Sequence, residues 1–183
     1  MPVPFRDADE IDELGGAGYT KIHAPSAGGS LQGALFVVNA RGEPLEFTYN
    51  RVETPNSFLW RGDDIRRHAT RKLITSLLGT CTKAPRFLMC QADEVYWELF
   101  CNDIHLSIPV CRVAAAMAAT SHSALEVRSG LEGPEPMHLF WFPGQPEDES
   151  VEHQLLQRLI THGLLLEPFQ RALTGLREVY PPQ

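Results

Sequence analysis

The sequence predicts an α+β fold: a central, mostly antiparallel sheet made of a hairpin, a helix and a three-strand meander, with C-terminal helices packed on it. Three patterns carry that expectation. Residues 31–38 form an apolar run rich in β-branched side chains, residues 45–50 alternate apolar with polar, and Ile65, Ala69, Leu73 and Leu77 recur every four positions. A period of two belongs to a strand with one buried face, and a period near 3.6 to a helix with one apolar stripe.

The hairpin turns at Asn39-Ala40-Arg41-Gly42, where Asn and Gly tolerate positive φ. Beyond it Leu45, Phe47 and Tyr49 point one way, and Glu46, Thr48 and Asn50 the other. The run before the turn lacks such alternation, which places it inside the sheet with both faces covered. Asp63 and Asp64 follow Gly62 and suit the first turn of a helix, because carboxylates complement the dipole there. Its apolar face adds Ile74 and Leu78, while His68, Arg71, Lys72 and Thr75 share the opposite face up to a stop at Gly79.

Upstream, residues 19–24 suit a short strand, and 27–30 a linker whose Gly-Gly pair lacks the spacing of a phosphate loop. Downstream, three strands are expected at 86–91, 95–101 and 104–112, turning at Ala92-Asp93-Glu94 and at Asn102-Asp103. That register sets Trp97 against Ile108 and Leu99 against Leu106, with Pro109 holding the third strand to an edge or a bulge. The Ala-rich stretch 113–120 reads as a helix, and 125–128 and 137–142 as two more strands. Leu155, Leu156, Leu159 and Ile160 mark one terminal helix, and Phe169, Ala172, Leu173 and Leu176 a second that opens at Pro168.

Residues 1–18 carry five carboxylates followed by three glycines and read as a flexible acidic arm; residues 19–183 then form a single globular domain. The net charge of −7 argues against a general binder of nucleic acid or anionic membrane. No apolar run reaches membrane-spanning length, so no membrane partner is expected. Cys81, Cys90, Cys101 and Cys111 contain no C-x-x-C pair, and reduced thiols in a cytoplasmic protein are the simplest account.

The order hairpin, helix and three strands over residues 31–112 resembles the profilin-like architecture of roadblock and longin domains. That resemblance implies an adaptor that binds GTPases or assembles larger complexes.

No set of residues has the spacing of a catalytic, metal or cofactor site, so none of these is expected. Basic charge is the informative distribution: eight of the 16 Lys and Arg fall between Arg51 and Arg86. The leading expectation is therefore a non-catalytic assembly subunit that docks an acidic protein partner. Arg61, Arg66, Arg67, Arg71 and Lys72, with Phe58 and Trp60 beside them, are the expected contacts, since Arg and large aromatics are enriched at interface hot spots. One alternative is an enzyme. A metal-dependent phosphodiesterase would draw on Asp63, Asp64, Asp93, Glu94 and Glu98, and a Cys-based hydrolase on Cys111 with His105 or His122. Another is a nucleic-acid-binding accessory subunit, and self-association into a homo-oligomer is compatible with each.

Overall fold

Ser30–Asn39 (β2) and Pro44–Glu53 (β3) form the expected hairpin, with Phe36 opposite Phe47 and Ala34 opposite Tyr49. This computed structural model describes residues 2–4 and 11–182, so Asp7, Asp9 and Glu10 of the acidic arm lie outside the described residues. Gly42 turns the hairpin at a φ of 78°, and the Asn39 side chain accepts the N–H groups of Arg41 and Glu43. Every residue of β2 is buried, because Gly16–His23 (β1) pairs along its other edge and helices cover both faces.

Among the described residues the sheet has seven strands in the order β3-β2-β1-β4-β5-β7-β6. The remaining strands are Leu88–Gln91 (β4), Val110–Ala115 (β5), Val127–Leu131 (β6) and Met137–Phe142 (β7). The two pairings of β4 are parallel and the other four antiparallel. The α+β class, the mostly antiparallel sheet and the C-terminal helices are therefore as expected.

Two apolar layers sandwich the sheet. The helix Gly62–Thr80 (α2) lies on the hairpin and buries Ala69, Leu73, Ile74 and Leu77 against Leu35, Val37, Leu88 and Val110. It sits close because Gly33 lacks a side chain: a Cβ there would lie 2.7 Å from Cδ2 of Leu73. On the opposite face Val151–Thr161 (α3) and Glu167–Val179 (α4) cover Tyr19, Phe36, Met89 and Trp141. One helical turn, Ile11–Leu14 (α1), adds Ile11 to that second layer.

The meander is built differently from the expectation. Residues 86–91 do yield β4, but 95–101 is not a strand: it turns into a π-helical turn at Leu99–Asp103. Leu99, Phe100 and Cys101 are all buried, which consecutive residues achieve by coiling beneath α2 rather than by alternating across a sheet. The expected Trp97–Ile108 and Leu99–Leu106 pairs are therefore absent. The chain re-enters the sheet after Pro109 as β5, parallel to β4, and 113–120 completes this strand and a turn instead of a helix.

One buried ion pair ties these irregular segments down. Arg112 on β5 grips Glu126 at 2.8 and 3.1 Å, and also donates to the carbonyls of Val95 and Ser121. Their side chains are 3% and 2% exposed. Removing one partner from such a pair leaves an uncompensated buried charge. Arg112→Met is expected to lower stability in urea denaturation by about 3–5 kcal/mol, with Arg112→Met/Glu126→Leu recovering most of the loss.

Candidate functional site

The pairing registers bring several strand ends to one edge of the sheet. His23 lies opposite Gln32 and Ser30 opposite Glu53, so β1 and β3 end where β2 begins. Strands β4 and β5 run parallel to β1, so Gln91 and Ala115 finish on the same edge. The loop 54–61 delivers the first turn of α2 to it as well. In sheets with parallel strands, the crevice outside their carboxyl ends is the usual place for a ligand.

At the centre of this edge β1 and β4 pair only through Gly18–Leu88 and Tyr19–Met89, then diverge. The gap is closed by polar side chains. The Lys21 ammonium donates to the Gln91 side-chain oxygen at 2.6 Å and forms a short ion pair with Glu94. The other Glu94 oxygen accepts the Ile22 N–H at 3.0 Å. Both charged side chains are largely shielded, 15% and 14% exposed. Burial pushes the Glu94 carboxyl upward, opposed by its bonds to Lys21 and Ile22.

One flank of the edge is aromatic and basic. Phe58 and Leu59 are 78% and 72% exposed, and Trp60, 41% exposed, packs its indole on His68 at 4.9 Å. The cations divide into two sets. Arg61 is paired with Asp64 at 2.6 Å, and Arg67 with both oxygens of Asp103 at 2.9 and 3.0 Å. The Arg67 guanidinium also faces the Tyr96 ring at 5.5 Å, and holds the Asp103 carboxyl below the usual carboxylate range. Arg66 reaches the Asp93 carbonyl at 3.4 Å, whereas Arg71 and Lys72 are exposed and carry no ion pair among the described residues. On the other flank a cleft of about 850 Å³ is lined by His23, Gln32, Arg51, Arg177 and Tyr180.

The expected enzyme residues do not converge. Asp63 is exposed, Asp64 is taken by Arg61, Asp93 sits in a turn and Glu98 precedes the π-helical turn. Divalent cations need several oxygen or nitrogen ligands around one point. Among the described residues no group of three or more His, Cys, Asp or Glu is placed to hold one. Nor is a thiolate on offer. Burial pushes Cys101 up to about 11, and raises Cys90 and Cys111 well above the usual thiol range. His105 is exposed on an irregular segment and His122 stacks on Phe140 at 5.4 Å. A nucleophilic cysteine requires the opposite shift.

Lys21, Gln91 and His23 were not among the expected site residues. The available signal was a lysine set between Thr20 and Ile22 in a mostly buried strand.

No protein family and no characterised protein matches the chain by sequence. Solved structures of endonuclease V do match its fold. The Streptomyces avermitilis enzyme superposes with a TM-score of 0.59 at 12% identity, over 91% of this chain and 81% of that one. The catalytic domain of human endonuclease V gives 0.57 at 10% identity, over 94% and 83%. The Ciona intestinalis enzyme, in complex with a 23mer DNA containing an inosine followed by a ribo-adenosine, gives 0.56 at 8%, over 92% and 85%. The roadblock/longin resemblance is thereby replaced. The leading expectation of a non-catalytic assembly subunit docking an acidic protein, drawn from the clustered basic charge, is overturned by the same likeness to endonuclease V structures.

The Arg67–Asp103 pair sets a pH dependence. A carboxyl whose folded pKa is depressed adds stability above its unfolded pKa, and that stability is lost as pH falls through the folded value. Asp103→Asn is expected to lower the melting temperature at neutral pH. The gap to the wild type should close as pH drops through and below the ordinary carboxylate range; a gap that stays constant in thermal scans would show that the pair contributes nothing.

Proposed function

We propose that this chain binds nucleic acid along the edge formed by the loop 54–61 and the first half of α2. The observation that carries the reading is that exposed Phe58, Leu59 and Trp60 lead directly into α2, where Trp60 packs on His68 and Arg66, Arg71 and Lys72 are exposed within a turn of His68. Aromatic side chains that stack bases beside cations that track phosphates are the combination used by proteins that bind single strands. Support also comes from the fold, which in the Ciona intestinalis endonuclease V holds DNA. Arg61 and Arg67, fixed by Asp64 and Asp103, orient this surface more than they add charge to it. The net charge of −7 makes binding local to this edge rather than general.

Strand cleavage is the second reading, favoured by the likeness of the fold to endonuclease V. Among the described residues the carboxylates do not assemble a metal site for it.

Fluorescence anisotropy with a labelled single-stranded DNA oligonucleotide, repeated over a salt series, tests the proposal. Arg71→Gln and Lys72→Gln are each expected to weaken binding for every sequence and to reduce the salt slope by about 1. Trp60→Ala should cost about 1–3 kcal/mol with little change in that slope. Binding that none of the three substitutions alters would sink the assignment.

A further inference from the structure

The crevice between β1 and β4 carries an inference that rests on the nucleic-acid reading and deepens it. We propose that the Lys21 ammonium is the resident cation of this crevice, so that the chain engages a nucleic-acid strand at this edge without a divalent metal.

The geometry supports this at three points. The crevice opens where β1 and β4 part after Tyr19 and Met89, at the parallel strand ends where a ligand-binding centre is expected. Metal-assisted phosphodiester chemistry there would need carboxylates free to clamp ions. Glu94 is the carboxylate that reaches the gap: one of its oxygens is taken by Lys21 and the other by the Ile22 N–H. The neighbouring strand end contributes Gln91, a neutral side chain, and its oxygen also accepts from Lys21. Cation, carboxylate and amide thus satisfy one another. A divalent ion entering here would have to displace a shielded ammonium and, among the described residues, would meet no group of three or more His, Cys, Asp or Glu able to hold it. The Lys21 charge is balanced within the crevice by Glu94, and the exposed Arg66, which reaches the Asp93 carbonyl, supplies cationic charge beside it.

Two measurements on the full chain read this out. Amine acylation followed by mass spectrometry should modify Lys21 far more slowly than exposed Lys72 and Lys83. Glu94→Gln should speed it, since the amide oxygen keeps an acceptor for Ile22 while releasing the ammonium. Labelling of Lys21 as fast as Lys72 in the wild type would overturn the proposal. In the second measurement, Mn²⁺ is titrated calorimetrically, and oligonucleotide retention is compared in EDTA and in Mg²⁺ at matched ionic strength. No stoichiometric Mn²⁺ binding and no loss of retention in EDTA are expected. Stoichiometric Mn²⁺ binding, or cleavage that EDTA abolishes, overturns it. Failure to retain any oligonucleotide would instead remove the nucleic-acid reading, and the crevice would then be judged by the labelling and Mn²⁺ arms.

Discussion

The short parallel contact between β1 and β4 is the constraint on which the rest of the architecture depends. It joins a hairpin-fed antiparallel half, β3-β2-β1, to a half that starts with two parallel strands. Parallel neighbours need a crossover, and α2 is that crossover, running from the end of β3 back to the start of β4. Because the contact spans only Gly18–Leu88 and Tyr19–Met89, the strands part early and leave a polar gap at their carboxyl ends. The same parting places Lys21 and Gln91 side by side in a region where strand pairing would otherwise satisfy the backbone. Glu94 then takes over one backbone duty, accepting the Ile22 N–H in place of a ladder carbonyl.

A second constraint acts on the far half of the sheet. Segments 95–109 and 116–126 have little regular structure, and both are anchored to β5 by Arg112. Its guanidinium fills its donors with Glu126, two carbonyls and the face of Phe140 at 5.6 Å. Such a pair contributes little as a net energy, but it makes one arrangement of those loops much better than its competitors. That bears on the site, since the loop leaving β4 carries Asp93 and Glu94, and Val95 follows immediately.

How far the sequence reveals this fold depends on which interactions each element needs. The hairpin, α2, β7 and the two terminal helices are set by local periodicity and turn chemistry, and the sequence shows them closely. The stretch from Val95 to Ile108 misleads, because its apolar residues and Asn102-Asp103 imitate a meander. Its conformation is decided by long-range burial of Leu99 and Phe100 beneath α2. With that false meander came the false resemblance. The proposed site was half legible. Phe58, Trp60 and the cations of α2 stand out from composition and spacing. Lys21 and Gln91 meet across 70 residues, and no local pattern announces a partner at that separation.

Charge on this surface is not the same as affinity. Arg61 and Arg67 are among the most prominent cations in the sequence, yet each is engaged by a carboxylate three or 36 residues away. A phosphate approaching either must compete with a bidentate or short pair already formed, so their contribution to binding is reduced while their side chains stay ordered. Arg71 and Lys72 face no such competition. At physiological salt, charges beyond about 8 Å are largely screened, so the acidic remainder of the chain does little to cancel these two at contact range. It does oppose approach from afar at low salt. For the strand proposed to bind here, the combination favours a few direct contacts and stacked bases at one edge.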